Sequence, residues 1–355
     1  MKKLFALAAA AVLALSLFAG CSSQKAELAL ITDIGTIDDK SFNQGSWEGL
    51  VKYAEEKGIS KKYYKPTEKS NDAYLQSIDL AVKGGAKTIV CPGFLFQEPV
   101  QTASATYPDV NFIAIDCVLE NPAANAVGIS YAEEQVGFLA GYAAVKEGYT
   151  NLGFLGGLAV PAVVRYGYGF VQGAEYAANE AGMAEGSISI KYGYTGNFDA
   201  TPENKSMAAS WYNDGTEIIF ACGGAVGNSV MAAAEEAGTK VIGVDVDQSS
   251  ESDTVVISAM KGLGTSVYDT IASIYDSKFQ GGQNVTLGAA ENGVSLSMES
   301  SKLEKFTQKD YQTLYAALAA NTNNIASNIL NTPAEDGKVS SANIPLSAVV
   351  VEEVA

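Results

Sequence analysis

The sequence predicts an α/β chain folded as two doubly wound, Rossmann-like lobes, and three observations carry that prediction. Short runs rich in β-branched residues and apolar on both faces recur along the chain, as strands do when a parallel sheet is covered on both sides. Helical stretches with a single apolar stripe separate them. The alternation runs from residue 27 to about 130 and then begins again, in a chain of 355 residues, more than one core usually serves.

Taken in order, the strand-like runs are ELALIT (27–32), KTIVCP (87–92), NFIAID (111–116), NLGFLGG (151–157), SISIKYGY (187–194), EIIFACGG (217–224), KVIGVDV (240–246) and DTVVISAM (253–260). ANAVGISY (124–131) reads as extended. The stretch SFNQGSWEGLVKYAEEKG (41–58) reads as a helix. Ser41 and Gln44 can form its capping box, Gly58 can end it, and Trp47, Leu50, Val51 and Ala54 make its apolar stripe. YLQSIDLAVKGG and VMAAAEEAGTK repeat the pattern, each leading into a strand, which gives right-handed βαβ units. The last stretch, from NTPAEDGK onward, lacks helical period and is predicted to be a strand and loops over the surface.

Ahead of these elements, MKK followed by LFALAAAAVLALSLFA and then Gly20–Cys21 reads as a signal peptide over residues 1–20. Ala19 and Gly20 before Cys21 match the pattern cut by lipoprotein signal peptidase, so Cys21 is expected to carry lipid, palmitate included. The apolar run is too short to span a bilayer. The mature protein is thus expected outside the cytoplasm, lipid-anchored to the cell membrane.

Composition excludes several function classes. The formal charge is −17, and removal of Lys2 and Lys3 with the leader takes it to −19, which argues against nucleic acid as a partner. There is no histidine, so Ser-His-Asp triads and His-ligated metals are ruled out. Arg165 is the only arginine, so no multi-arginine phosphate clamp exists. Cys91, Cys117 and Cys222 each end an apolar run and read as small buried residues, with one disulfide among them left open.

In open parallel sheets, ligands bind beyond the carboxyl ends of the strands. Those ends carry Asp33, Gly93, Asp116, Gly223 with Gly224, and Asp245. Two lobes facing each other with such ends form a cleft. Asp33 and Asp116, when ionised, can only accept hydrogen bonds. Asp38 and Asp39, just before a helix, suit capping better than ligand binding. Phe42 flanks the strand end that carries Asp33. Asp245 and Lys261 read as an ordinary ion pair, and Asp247 should face away by strand alternation. CGGAVGNS (222–229) is Gly-rich but lacks both GK[ST] and GxGxxG, so close backbone approach to a neutral group suits it better than phosphate.

The stretches TDIGTIDDKSFNQGSWEGL, CPGFLFQEPV, FIAIDCV, ISYAEEQVGFLAGYAA, LGFLGGLAVPAVVRYGYGFVQGAEYA, ACGGAVGNSV, VIGVDVDQ and ISAMKGL, in that order over about residues 27–280, resemble the basic membrane protein family. These are lipoproteins that serve as substrate-binding proteins of ABC importers, and the characterised branch binds purine nucleosides. The resemblance implies a type I periplasmic binding protein with a three-segment hinge. It implies residues 27–130 plus 258–284 in the first lobe and 131–257 plus 285–330 in the second. Residues 21–26 become a linker and 331–355 a tail packed on the surface. It further implies that Asp33 and Asp116 accept from base N–H groups, with Asn43 a further candidate at the base edge. Phe42 and Phe198 would stack on opposite faces of the base. Gly223, Gly224, Asp245 and Lys261 would hold the ribose. A permease and an ATPase are the implied partners, the protein is expected to act as a monomer without cofactor or metal, and no enzymatic step is expected of it.

Two alternatives stand beside this reading. One is a protein of the same fold that binds a sugar or another small solute. The other is a nucleoside hydrolase-like enzyme, because DIGTIDD (33–39) is similar to an aspartate motif that binds calcium there. Ile31 occupies the first Asp position of that motif, no Pro separates Asp33 from Gly35, and the Asp38–Asp39 pair comes one residue late.

Overall fold

The computed structural model describes residues 25–33 and 35–354. The expected signal peptide and the expected lipidation position, Cys21, lie outside the described residues.

Two sheets organise the chain. The first is built from β1 (Leu28–Ile31), β2 (Lys61–Tyr64), β3 (Thr88–Pro92), β4 (Asn111–Ile115), β5 (Ala126–Tyr131) and β11 (Gln283–Leu287), in the spatial order β2-β1-β3-β4-β5-β11. All its pairings are parallel. The second contains β6 (Asn151–Gly156), β7 (Ile188–Tyr194), β8 (Ile218–Cys222), β9 (Lys240–Asp245), β10 (Val255–Lys261), β12 (Val294–Leu296) and β13 (Val349–Val354). Its order is β13-β7-β6-β8-β9-β10-β12, parallel except where β12 meets β10. Leu28, Leu30, Val90 and Ile113 face one core and Ala29, Ile31, Ile89 and Phe112 another, so these strands bury both faces, as their apolar runs require.

The helices are α1 (Phe42–Lys57), α2 (Asn71–Lys83), α3 (Gln97–Thr106), α4 (Glu133–Glu147), α5 (Pro161–Glu180), α6 (Pro202–Asn213), α7 (Val226–Ala237), α8 (Leu263–Tyr275) and α9 (Gln308–Ala319). The chain passes between the lobes at three places: from β5 to α4, from β10 to α8, and from β11 to β12.

Three expectations need correction. The lobe boundaries shift, because β10 pairs with β9 in the second sheet and only α8 returns to pack on α1, while all of β11, through Leu287, pairs with β5 in the first. Residues 258–261 therefore belong with the second sheet and 285–287 with the first. The helix after Asp33 starts without the expected capping box. Ser41 spends its hydroxyl elsewhere, and Asp39 accepts from the backbone N–H groups of Ser41, Asn43 and Gln44 instead. The buried face of α1 is also rotated: Ser46, Gly49, Leu50, Tyr53 and Ala54 are buried, whereas Trp47 and Val51 are only half-buried. A Cβ at Gly49 would lie 2.3 Å from the Gly264 carbonyl oxygen, so α1 and α8 meet backbone to backbone.

Gly58 ends α1 in the left-handed conformation as expected, and Asp247 is exposed. Cys91, Cys117 and Cys222 are buried free thiols, so no disulfide joins them. The tail supplies the edge strand β13, fastened by Glu175 of α5, whose carboxylate accepts from the backbone N–H groups of Ser347 and Val349.

Candidate functional site

The strand ends of both sheets face one cavity of about 190 Å³. Asp33, Phe42, Asn43 and Asp116 reach it from the first lobe. Phe198, Gly223, Gly224, Asp245 and Lys261 reach it from the second. All nine residues singled out in the sequence therefore line the same space.

Asp33 follows β1, and its Oδ1 accepts from the Asn43 amide at 3.2 Å. Gly93, at the end of β3, makes room for it, since a Cβ there would lie 2.5 Å from Asp33 Oδ2. Asn43 also donates to Asp39 at 3.0 Å, while its own Oδ1 is buried without a partner. One short segment thus fixes a carboxylate and an amide side by side.

Asp116 and Asp245 occupy equivalent places in the two lobes, each just past or at the end of a strand. Both adopt the left-handed region, with φ of 53° and 66°. This conformation costs a non-glycine residue about 1 kcal/mol or more and persists where surrounding contacts fix it. Here the contacts are ionic. Lys261 Nζ lies 2.5 Å from Asp116 Oδ2, 3.4 Å from Glu133 Oε1 and 3.6 Å from Asp245 Oδ1. Its ammonium also sits 5.0 Å from the ring centre of Phe42 and 5.4 Å from that of Tyr166. The expected Asp245–Lys261 pair is therefore the looser contact, and Asp116 is the near partner. Burial works against the Lys261 charge, but the three carboxylates more than offset it and hold its pKa above the ordinary lysine range. Burial pushes the Asp116 carboxyl up to about 7 despite the pull of Lys261.

The lobes touch directly at this site. Ser41 Oγ donates to Asp245 Oδ2 at 2.5 Å, and Gln248 Nε2 donates to the Lys40 carbonyl at 2.7 Å. Lys261 to Asp116 is a third such contact, since β10 belongs to the second sheet and β4 to the first.

Phe198 is half-buried on the loop after β7, and its ring lies over Gly157, where a Cβ would fall 2.4 Å from Phe198 Cδ1. A Cβ at Gly223 would lie 2.7 Å from the Gly157 backbone nitrogen, and Gly224 has a φ of 56°. These glycines let two loops and an aromatic ring close up on one wall.

Sequence reasoning missed Glu133, which is fully buried yet bonded to both Lys261 and Arg165. It also missed Tyr166 and the start of α5 (Val160 to Val163), which line the cavity, and Lys65 and Phe94 at its exposed mouth. Tyr166 carried a faint signal, as an aromatic one turn past a strand-to-helix loop.

Two largely parallel sheets, three chain crossings and a polar cleft between facing strand ends make a two-lobed fold of the periplasmic-binding-protein type, and similarity to known proteins assigns it to the substrate-binding proteins of ABC transporters, which work outside the cytoplasm. The solved solute-binding protein of an ABC transporter system from Aeropyrum pernix superposes with a TM-score of 0.71 at 25% identity, covering 86% of this chain and 83% of that one. A second, from Conexibacter woesei, shares the fold at a TM-score of 0.67 and 21% identity over 87% of this chain and 98% of its own. The profile of the Bmp family, described as ABC transporter substrate-binding protein PnrA-like, matches residues 26–326, and the chain belongs to that family. Among relatives, the ABC transporter nucleoside-binding protein BmpA of Lactococcus lactis is 30% identical, covering 85% of this chain and 93% of its own. Basic membrane protein A of Borreliella burgdorferi is 32% identical over 80% of this chain and 84% of its own. Among the described residues, no helix is long and apolar enough to cross a membrane.

Proposed function

We propose that this protein captures purine nucleosides of the guanosine, inosine and adenosine class by closure of its lobes. It then presents them to an ABC permease whose ATPase drives import. The observation that carries the reading is that Phe42 and Phe198 come from facing lobes into a cavity that also holds Asp33, Asn43, Asp116, Asp245 and Lys261. Two rings suit a flat heterocycle, and a base–aromatic stack is worth about 1–3 kcal/mol. Carboxylates accept from base N–H and ribose O–H donors, at about 1.5–3 kcal/mol for each charged hydrogen bond. The cavity lining carries five aspartates against two lysines, which disfavours a phosphorylated ligand. The nucleoside-binding name of the Lactococcus lactis relative points the same way.

In this reading the nucleoside docks on one lobe and the other rotates about the three crossings to cover it. The Ser41–Asp245 and Lys40–Gln248 contacts suit a closed form that a permease can recognise. Cys21 carries the lipid that holds the receptor at the membrane, and the protein works as a monomer.

The test is a thermal-shift screen over nucleosides, free bases, ribose and glucose, because a ligand at a hundred times its Kd adds about 2.7 kcal/mol of stability. Guanosine or inosine should raise the Tm, and ribose and glucose should not. A response to sugars alone would overturn the reading. In calorimetry, Asp245→Ala should weaken nucleosides more than free bases, because every ligand loses the Ser41–Asp245 contact but only nucleosides lose a ribose contact, and equal losses for both would remove Asp245 from the ribose.

A further inference from the structure

Lys261 is buried, and the contact that anchors it on the side away from the ligand comes from a residue outside the cavity lining. Glu133 is the first residue of α4, two positions after β5 ends and therefore at one of the three chain crossings. It is 0% exposed, and Arg165 Nε donates to its Oε2 at 2.5 Å while its Oε1 faces Lys261 Nζ at 3.4 Å. That Oε1 accepts no hydrogen bond and faces the ammonium as an ion pair.

The helix pair that carries these groups is packed unusually close. Gly137 and Gly141 of α4 and Gly169 and Gly173 of α5 each lie against a backbone carbonyl of the other helix, where a Cβ would come within 2.2 Å of the oxygen. This approach brings the chain's only arginine, in the second turn of α5, onto the first residue of α4.

We propose that Glu133, held by Arg165, is a positioning residue: it fixes Lys261 and balances its charge, and so tunes the ligand site without touching the ligand. This rests on the nucleoside reading for its ligand, though its electrostatic part does not. Lys261 and Arg165 supply two positive charges against the three carboxylates Asp116, Glu133 and Asp245. The balance leaves carboxylate acceptors for a neutral ligand's N–H and O–H donors while keeping Lys261 in place.

Asp116 reports that balance. The charged groups facing it are Lys261 from β10, Glu133 from α4, Asp245 from the end of β9 and, farther off, Arg165 from α5. The phenols of Tyr131 and Tyr166 and the thiols of Cys117 and Cys222 are pushed up by burial and stay neutral. Glu133 holds the Asp116 carboxyl up, so removing its charge lets Asp116 ionise at lower pH. Arg165 opposes that effect, so removing it has the reverse consequence.

The experiment compares the full-length mature protein with Glu133→Gln and Arg165→Gln. Guanosine affinity is measured by calorimetry from pH 5 to 8, and the Asp116 carboxyl is followed by ¹³C NMR without ligand. In the wild type, affinity should fall as pH drops below about 7, where Asp116 takes up its proton. Glu133→Gln should weaken binding at pH 8 by roughly tenfold and move the acid limb and the NMR midpoint down by about one unit. Arg165→Gln should move both midpoints up. An Asp116 midpoint unchanged in both variants, with affinity lost equally at every pH, would make the pair purely structural and overturn the proposal. If guanosine fails to bind the wild type, the nucleoside reading falls, yet the opposite NMR shifts still decide this one. Should Glu133→Gln not fold, as judged by circular dichroism, the upward shift in Arg165→Gln alone decides it.

Discussion

At the hinge end of the cleft, Lys261 lies within 3.6 Å of three carboxylates, and its side chain is 3% exposed. At the mouth, Phe198 and Asp33 are half-buried, while Lys65, Phe94 and Asp199 are exposed; half-buried Phe42 lies between the two regions, its ring 5.0 Å from the Lys261 ammonium. The hinge end is a network of paired charges around Lys261, on elements that also carry the crossings between lobes. The mouth is a set of separate surfaces, each held by its own lobe, that a ligand would bring together. The difference teaches that affinity and specificity are divided in space. Charge at the hinge end fixes geometry and tolerates little change, because breaking one partner strands the others in low dielectric. In the proposed reading, the rings would contribute stacking that depends on the ligand's shape.

The sharpest way to break that contrast is Lys261→Ala. It leaves Asp116, Glu133 and Asp245 together without their common cation, and removal of one partner from a buried network costs about 3–5 kcal/mol. Chemical denaturation should show a loss of that size, and calorimetry should find guanosine binding weakened by at least a hundredfold. A variant of wild-type stability would mean that the carboxylates simply take up protons and that the network is not the anchor described above. Phe42→Ala should have a smaller effect of a different kind. It should lower affinity for guanosine, inosine and adenosine together by roughly tenfold, as loss of a stacking face predicts, and cost less stability than Lys261→Ala, since the ring packs on the core and faces the Lys261 ammonium. Discrimination among the three bases would instead place Phe42 at a base edge.

Much of this architecture was legible in the sequence because its signals are local. The central strands are apolar runs, seven of the nine proposed contacts lie at strand ends or the loops just past them while Phe42 and Asn43 open α1, and all nine meet in one cavity. What escaped is non-local or weakly apolar. β2 reads KKYY and β11 reads QNVTL, edge strands with only partly buried side chains, and neither shows the run that marked β1 or β8. The boundary error at residues 285–287 follows directly from missing β11. Glu133 looked like one of two acids in the first turn of a helix, a common place for a carboxylate, and nothing near it in the chain announces Lys261. Ser41 fitted a capping pattern at the right spacing. It lost that role to Asp39 because its hydroxyl finds a carboxylate 204 residues away in the other lobe.

That same hydroxyl sets the smallest of the expected effects. Ser41 is fully buried, and Oγ donates to Asp245 Oδ2 across the lobe interface at 2.5 Å. The bond needs both lobes in contact, whereas a separated pair would satisfy the same two groups with water. Ser41→Ala therefore removes only the net difference, about 0.5–1.5 kcal/mol for an ordinary hydrogen bond. Asp245 keeps Lys261 at 3.6 Å, and Gln248 still reaches the Lys40 carbonyl, so the interface is thinned and not opened. The loss should appear in ligand release, because release requires the lobes to part. Stopped-flow measurement should give a guanosine dissociation rate roughly two- to tenfold faster than wild type, with association unchanged within error. Slower association at a wild-type release rate would locate the contribution of Ser41 in the first docking step, and the contact with Asp245 would then not be a latch on the closed form.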